Sequence, residues 1–167
     1  TGKHMQRIGE YCRLLAGELA RRGVMGLDGE FVEQIHRSSQ LHDIGKVAVP
    51  DAILLKQGPL SPEDQEVMQA HVTVGGDALR AVLERYDSPS FLSMAMDIAY
   101  SHHEKWDGTG YPQGLAGDAI PLAARIVAVA DAYDALTSDR PYQDSVAHPE
   151  AVERIRRDRG SHFYPAV

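Results

Sequence analysis

The sequence predicts an all-α fold, a bundle of helices packed around one core. Three observations carry this reading. Apolar residues recur at spacings of three and four through most of the chain, the period at which one face of a helix returns. Helix-starting residues such as Asp28 and Ser61-Pro62, and the helix-ending Gly23, punctuate those stretches. No segment alternates apolar and polar residues convincingly as a half-buried strand would, and there are no repeats, low-complexity segments or linkers. With 167 residues, 43% of them hydrophobic, the chain forms one domain, large enough to bury a core without disulfides or a structural metal.

Residues 3–22 place Met5, Ile8, Cys12, Leu15 and Leu19 on one face of a first helix that ends at Gly23. His4, one turn before Ile8, lies near that face, although an N-terminal His on a solvent edge would look the same. Asp28 caps a second helix whose stripe runs through Phe31, Ile35, Ser38 and His42 until Gly45 offers a left-handed exit. An Asp at a helix C-terminus opposes the helix dipole, so Asp43 there points to ligation rather than capping. Residues 47–58 read as a loop with a short helical turn around Ile53 to Lys56. Ser61-Pro62-Glu63-Asp64 then starts a helix that shows Val67, Met68, His71 and Val74 on one face. Gly75-Gly76 either bends it or admits close packing before Leu79, Val82, Leu83 and Tyr86 resume the period.

Pro89-Ser90 opens the next helix, with Phe91, Leu92, Ala95, Ile98, Ala99 and His102 in register. Residues 104–120 are rich in Gly and polar groups and read as an ordered functional loop, because a structureless connection of that length is uncommon in a compact domain. Pro121 restarts a helix in which Ala124, Val127, Asp131 and Asp134 share one side. A carboxylate in so apolar a helix is costly unless it meets a cation. Asp139-Arg140-Pro141-Tyr142 makes a turn, and a short basic surface helix follows from His148-Pro149-Glu150. His36 and His162 receive no role.

The formal charge of −7 argues against a nucleic-acid polymer as partner, since such binders carry a basic face. No run approaches the roughly 18–20 apolar residues of a membrane span, so no membrane contact is expected. The single Cys12 fits a reducing, cytoplasmic location. The chain begins at Thr1 without an initiator Met and reads as a piece of a longer protein.

His42, Asp43, His71, His102, His103 and Asp131 each stand at the buried end of a helical segment, about one helix and loop apart. That recurrence is what a metal site in a bundle core requires. Four His and two Asp exceed one tetrahedral zinc and suit two neighbouring six-coordinate ions sharing a carboxylate. Such a pair activates water and neutralises a phosphoryl group, which predicts phosphoester hydrolysis. Iron for redox or oxygen chemistry would use the same ligands. Lys46 and Arg140 are the cations with access, and they favour a phosphate substrate.

His42-Asp43-Ile44-Gly45-Lys46, His71, His102-His103-Glu104-Lys105-Trp106-Asp107-Gly108-Thr109-Gly110-Tyr111-Pro112 and the stretch from Asp131 to Tyr142 closely resemble the HD-GYP family over nearly the whole chain. The stretch at 102–112 is the specific part. The resemblance implies an HD-domain helical bundle with two or three metal ions, usually iron or manganese, with nickel and zinc as further candidates. It implies hydrolysis of the bacterial second messenger cyclic di-GMP to the linear dinucleotide and onward to GMP. Carried over, His42, Asp43, His71, His102, His103 and Asp131 look like metal ligands, with His4 as an additional candidate and Asp43 as the bridge. Asp43 and Lys46 look catalytic. Lys46, Arg140 and Tyr111 look like substrate contacts, and Asp134 looks like a group that orients a ligand. The loop at 104–112 looks like a surface that meets partner proteins, and a homodimer is a further expectation.

The chain departs from the family at three places. Relatives with a third metal carry a Glu four residues before the position of His4, where this sequence has not begun, so two ions are expected and His4 would stand without that companion. Gln143-Asp144 replace the basic residue that relatives often place after the Arg-Pro-Tyr turn. Phe163-Tyr164-Pro165 stands where relatives have Phe-Asp-Pro and continue into a further helix. Both ends look cut, with a sensor or receiver domain expected elsewhere in the parent protein. The sequence thus reads as a metal-dependent cyclic di-GMP phosphodiesterase domain. A hydrolase of another cyclic dinucleotide or nucleotide, or a module that binds a nucleotide or partner without turnover, are its alternatives.

Overall fold

Helices form where the apolar spacing places them. The computed structural model describes residues 2–24, 27–86, 90–139 and 144–167. Among these, the α-helices in chain order are α1 (Gly2–Arg21), α2 (Gly29–Ser38), α3 (Asp51–Leu54), α4 (Pro62–Gln69), α5 (His71–Arg85), α6 (Ser90–Ser101), α7 (Leu122–Thr137) and α8 (His148–Arg157). Extended pairing among the described residues is limited to isolated bridges, Asp107 with Ala116 and Arg159 with Phe163.

The core follows from the stripes. Ile8, Cys12, Ala16 and Leu19 of α1 meet Ile35 of α2, Ile98 of α6 and Ala123, Ile126, Val127 and Ala130 of α7. α1 packs on α2 and α7, and α6 packs on α2, α5 and α7. Asp28 caps α2, its carboxylate accepting from Phe31 N–H at 2.8 Å. Ser61 and Asp64 cap α4 reciprocally, with Pro62 in the first turn. Ser38, fully buried, reaches the carbonyls of Gln34 (2.8 Å) and Phe91 (2.7 Å), which ties the end of α2 to the start of α6. Among the described residues, no helix is long and apolar enough to cross a membrane.

Two local expectations are corrected. α2 does not run to His42: it ends at Ser38 and tightens into 3-10 turns over Ser39–Leu41 and Ile44–Ala48. Gly45 is not a left-handed exit, since it is absent from the glycines with positive φ. It is there because α5 passes too close for a side chain. A Cβ on Gly45 would lie 1.9 Å from the His71 carbonyl oxygen and 2.6 Å from the Gly75 nitrogen.

The stretch from Ser61 to Tyr86 also divides. α4 ends at Gln69 and α5 begins at His71. Val67 and Val74, expected inward beside His71, are exposed, and Val72 and Leu79 are buried instead. Of the alternatives for Gly75-Gly76, close packing is the one realised, since α5 continues through both. Gly75 faces Gly45, and a Cβ on Gly76 would meet the Tyr100 ring at 2.4 Å.

Candidate metal centre

The 3-10 turns after α2 matter because they bring Asp43 between the ends of α5 and α6. His42 follows the first turn, and its Nδ1 lies 2.7 Å from the Ser39 carbonyl oxygen. A carbonyl only accepts, so Nδ1 carries the proton and the neutral ring offers a bare Nε2. His71, at the start of α5, does the same on Met68 O at 2.6 Å, and His102, just past α6, on Ile98 O at 2.9 Å. Three histidines from different segments thus share one tautomer, each fixed by its own backbone.

Their free nitrogens converge. Asp43 Oδ2 lies 3.4 Å from His42 Nε2, and Asp43 Oδ1 lies 3.3 Å from His71 Nε2 and 3.8 Å from His102 Nε2. His42 Nε2, Asp43 Oδ1, His71 Nε2 and His102 Nε2 are all buried without a hydrogen-bond partner. Leaving such groups unsatisfied costs roughly 1–3 kcal/mol each, and four aimed at one region are donors that could hold a metal ion. His102 and His103 pack ring to ring at 4.1 Å.

The ligand atoms fall into two groups, each within 4.8 Å: Asp43, His71, His102 and His103 in one, and His4, His42 and Asp131 in the other. Asp43 stands between them, Oδ1 toward the first group and Oδ2 toward His42. Nitrogen and carboxylate donors in this number fit divalent transition-metal ions. His4 comes from the first turn of α1 and lies 3.8 Å from Asp131 Oδ1. The structure therefore brings together all seven residues that the sequence singled out as ligand candidates.

The remaining site residues have definite places. Lys46 Nζ lies 2.5 Å from Asp43 Oδ2. Tyr111 stacks on His103 at 4.8 Å, and burial, then Asp43 and Asp131, push its hydroxyl up to about 12, so it stays protonated. Asp134 bonds to His4 and Arg7. Its carboxylate holds His4 Nδ1 at 2.7 Å. Arg140 lies outside the described residues.

Sequence reasoning missed two residues. Glu104 is buried, and its oxygens accept from Gln113 N–H (2.8 Å) and Leu115 N–H (3.0 Å), which folds the glycine-rich loop back beside His103. Gly110 lies in that fold, and a Cβ there would meet Lys105 N at 2.4 Å. The signal for Glu104 was a carboxylate directly after two inward histidines. Arg7 is the other: its Nε and Nη2 donate to Asp134 at 2.5 and 2.9 Å. One helical turn from His4 was its only signal.

Burial and charge set the protonation of the site. Burial, then His71, pushes His103 down to about 3, and burial, then His103, holds His102 well below the ordinary value of 6.5. Burial would raise Asp43, but its neighbours His42 and His71, and the Lys46 ammonium, hold it well below the carboxylate range. His42 is raised, its burial outweighed by Asp43. The unfolded chain protonates histidine near pH 6.5, whereas folded His102 and His103 resist it, so the unfolded state binds more protons below that pH. Stability from these two groups is present above pH 6.5 and lost as pH falls below it, for His103 down to about 3, at up to roughly 1.4 kcal/mol per pH unit for each. His42, being raised, changes its contribution only above pH 6.5, so it does not offset this loss. The thermal midpoint of metal-free protein is expected to fall as pH drops from 6.5 to 5, and a flat profile would contradict the neutral burial of His102 and His103.

The family model described as HD domain matches residues 2–167. The chain belongs to the HD domain family. Over its whole length this HD domain is 46% identical to a cyclic di-GMP phosphodiesterase of Vibrio cholerae, of which it covers 34%, and 41% identical to 3'3'-cGAMP-specific phosphodiesterase 2 of the same organism, of which it covers 30%. The chain thus spans about a third of the length of these curated relatives. Its fold is similar to that of Bd1817, an HDG"Y"P protein from Bdellovibrio bacteriovorus, with a TM-score of 0.68 at 22% identity over 97% of this chain and 49% of that one. The resemblance to HD-GYP proteins drawn from residues 42–46, His71, 102–112 and 131–142 is borne out.

Proposed function

We propose that this HD domain is a metal-dependent phosphodiesterase that hydrolyses cyclic di-GMP to the linear dinucleotide and on to GMP. The observation that carries it is the set of buried, unpartnered ligand atoms on His42, Asp43, His71 and His102. Asp43, His71, His102 and His103 would hold one divalent ion and His4, His42 and Asp131 a second, with Asp43 shared. Iron or manganese is what the family resemblance implies, and nickel or zinc would also suit these donors. When bound, the ions supply an activated water and neutralise charge developing on phosphorus.

The chain's own residues supply the rest. Asp43 turns its two oxygens to the two groups and so fixes their separation. Lys46, paired with Asp43 on the half-exposed side, offers its ammonium to a nonbridging phosphate oxygen. Arg140 would add a second cation to the phosphates. Tyr111 holds the His103 ring by stacking and turns a protonated hydroxyl toward the substrate. The loop at 104–112, stapled by Glu104, is the surface through which partner proteins would be met.

The relative specific for 3'3'-cGAMP supports a second reading, hydrolysis of that hybrid dinucleotide by the same groups. Protein loaded anaerobically with iron(II) or manganese(II) is to be assayed against both cyclic dinucleotides, with products followed by chromatography. Faster cleavage of cyclic di-GMP is expected. No product from either at full metal occupancy overturns the enzyme reading. Lys46→Ala is expected to lower kcat/KM about 100-fold, the scale for one charge-stabilising donor, with metal content unchanged.

A further inference from the structure

We propose that Arg7 and Asp134 are positioning residues that set His4 as a ligand, and that through it they decide whether the centre takes up its second ion. The inference rests on the metal reading above and deepens it.

His4 is held differently from the other histidines. His42, His71 and His102 have side chains 1–2% exposed, and each turns its Nδ1–H to a neutral backbone carbonyl of its own segment. Packing and backbone fix them before any ion arrives. His4 is 24% exposed, on the first turn of α1, where helices fray. Its Nδ1 instead faces a carboxylate, Asp134 Oδ2, at 2.7 Å.

That carboxylate is itself held. Asp134 is 2% exposed on α7, one turn beyond Asp131. Arg7 donates from Nε to Oδ1 at 2.5 Å and from Nη2 to Oδ2 at 2.9 Å, and Nη2 also reaches Ser138 Oγ at 3.1 Å. Since α7 carries both Asp131 and the group that aims His4 at it, docking of α1 on α7 assembles this side of the centre. A carboxylate accepts only, so it keeps the proton on His4 Nδ1 and leaves Nε2 bare toward Asp131. A carboxylate behind a ligating histidine also makes it a stronger donor, and losing such a partner typically costs about 10–100-fold in metal affinity.

Asp134→Asn tests this with little change in shape. Arg7 claims the remaining oxygen, so the amide NH2 faces His4 Nδ1 and donates to it. The proton then moves to His4 Nε2, and the lone pair turns away from the ion. The first group, with four residues of its own, is untouched.

Wild type, Asp134→Asn, Arg7→Lys and His4→Ala are to be titrated anaerobically with manganese(II), with bound metal counted per chain and the paramagnetic resonance spectrum recorded. Wild type is expected to bind two ions and to show a spin-coupled pair. Asp134→Asn is expected to keep first-ion affinity but weaken the second about 10–100-fold, giving an uncoupled six-line spectrum. His4→Ala should match it, and Arg7→Lys, which keeps the charge but not the two-pronged grip, should fall between. A coupled pair of wild-type affinity in Asp134→Asn overturns the inference, as does equal weakening of both ions, which would mark a merely structural role. Wild type that binds no ion at all overturns the metal reading and this inference with it, and is thereby distinguished from failure of the inference alone.

Discussion

Asp43→Ala is expected to lose both ions and at least about 10³ of kcat, the upper range for removing a single electrostatic group from a reaction centre. The two Asp43 oxygens face different ligand groups, with His42 at 3.4 Å from one and His71 at 3.3 Å from the other. Asp43 is also the only carboxylate within 4 Å of His71 or His102 among the described residues. Removing it leaves the first group purely neutral and breaks its link to the second. Lys46 loses its anion at the same time. Asp43→Asn keeps the shape and tests the charge alone. Metal counted per chain, alongside turnover, checks both variants. Two bound ions and near-normal turnover in Asp43→Asn would show that the bridge is not where the geometry puts it.

Gly45→Ala is the second large effect, and it acts on the fold first. The added carbon would sit 1.9 Å from the His71 carbonyl oxygen and 2.6 Å from the Gly75 nitrogen. Both are backbone atoms of α5, so no rotamer change relieves the overlap, and the 3-10 turn must move away from the helix. We expect a loss of about 3 kcal/mol, at the upper end for overpacking, or a fall of about 6–12 °C in thermal midpoint for a domain of this size. Metal-free protein is the sample to melt, because bound ions would mask part of the change. The same shift pulls Asp43 from His71, so metal affinity should fall too. A midpoint within about 2 °C of wild type would refute the close approach of these segments.

Gly45 also shows where sequence reading stops. An apolar stripe through Phe31, Ile35, Ser38 and His42 has the same spacing whether its last turn is α or 3-10, and glycine serves a left-handed exit and a tight crossing equally well. Only the position of α5 decides between them. Similarly, Val67 and Val74 share a face with His71 on paper, yet His71, Val72 and Leu79 are the residues buried and both valines are exposed. The helices themselves were legible because Asp28, Ser61-Pro62 and Gly23 act locally. The ligand candidates were legible because inward histidines and aspartates are rare in apolar stripes. Arg7 was not, because its meaning depends on Asp134, 127 positions away. Glu104 was not, because what it binds is the backbone of a loop whose path no spacing encodes.

The grip of Asp134 on His4 spans 130 positions, and this gives the centre a history. On a growing polypeptide, His42, Asp43, His71, His102 and His103 all emerge before either Asp131 or Asp134. At about 5–20 residues per second, the stretch from His103 to Asp134 adds roughly 2–6 s. A nascent chain therefore owns all four candidate ligands of one group while the other still lacks Asp131. The second group is finished last, when α7 returns to the α1 made well before it. The order in which the residues are made and the order in which the two halves of the centre become competent are the same.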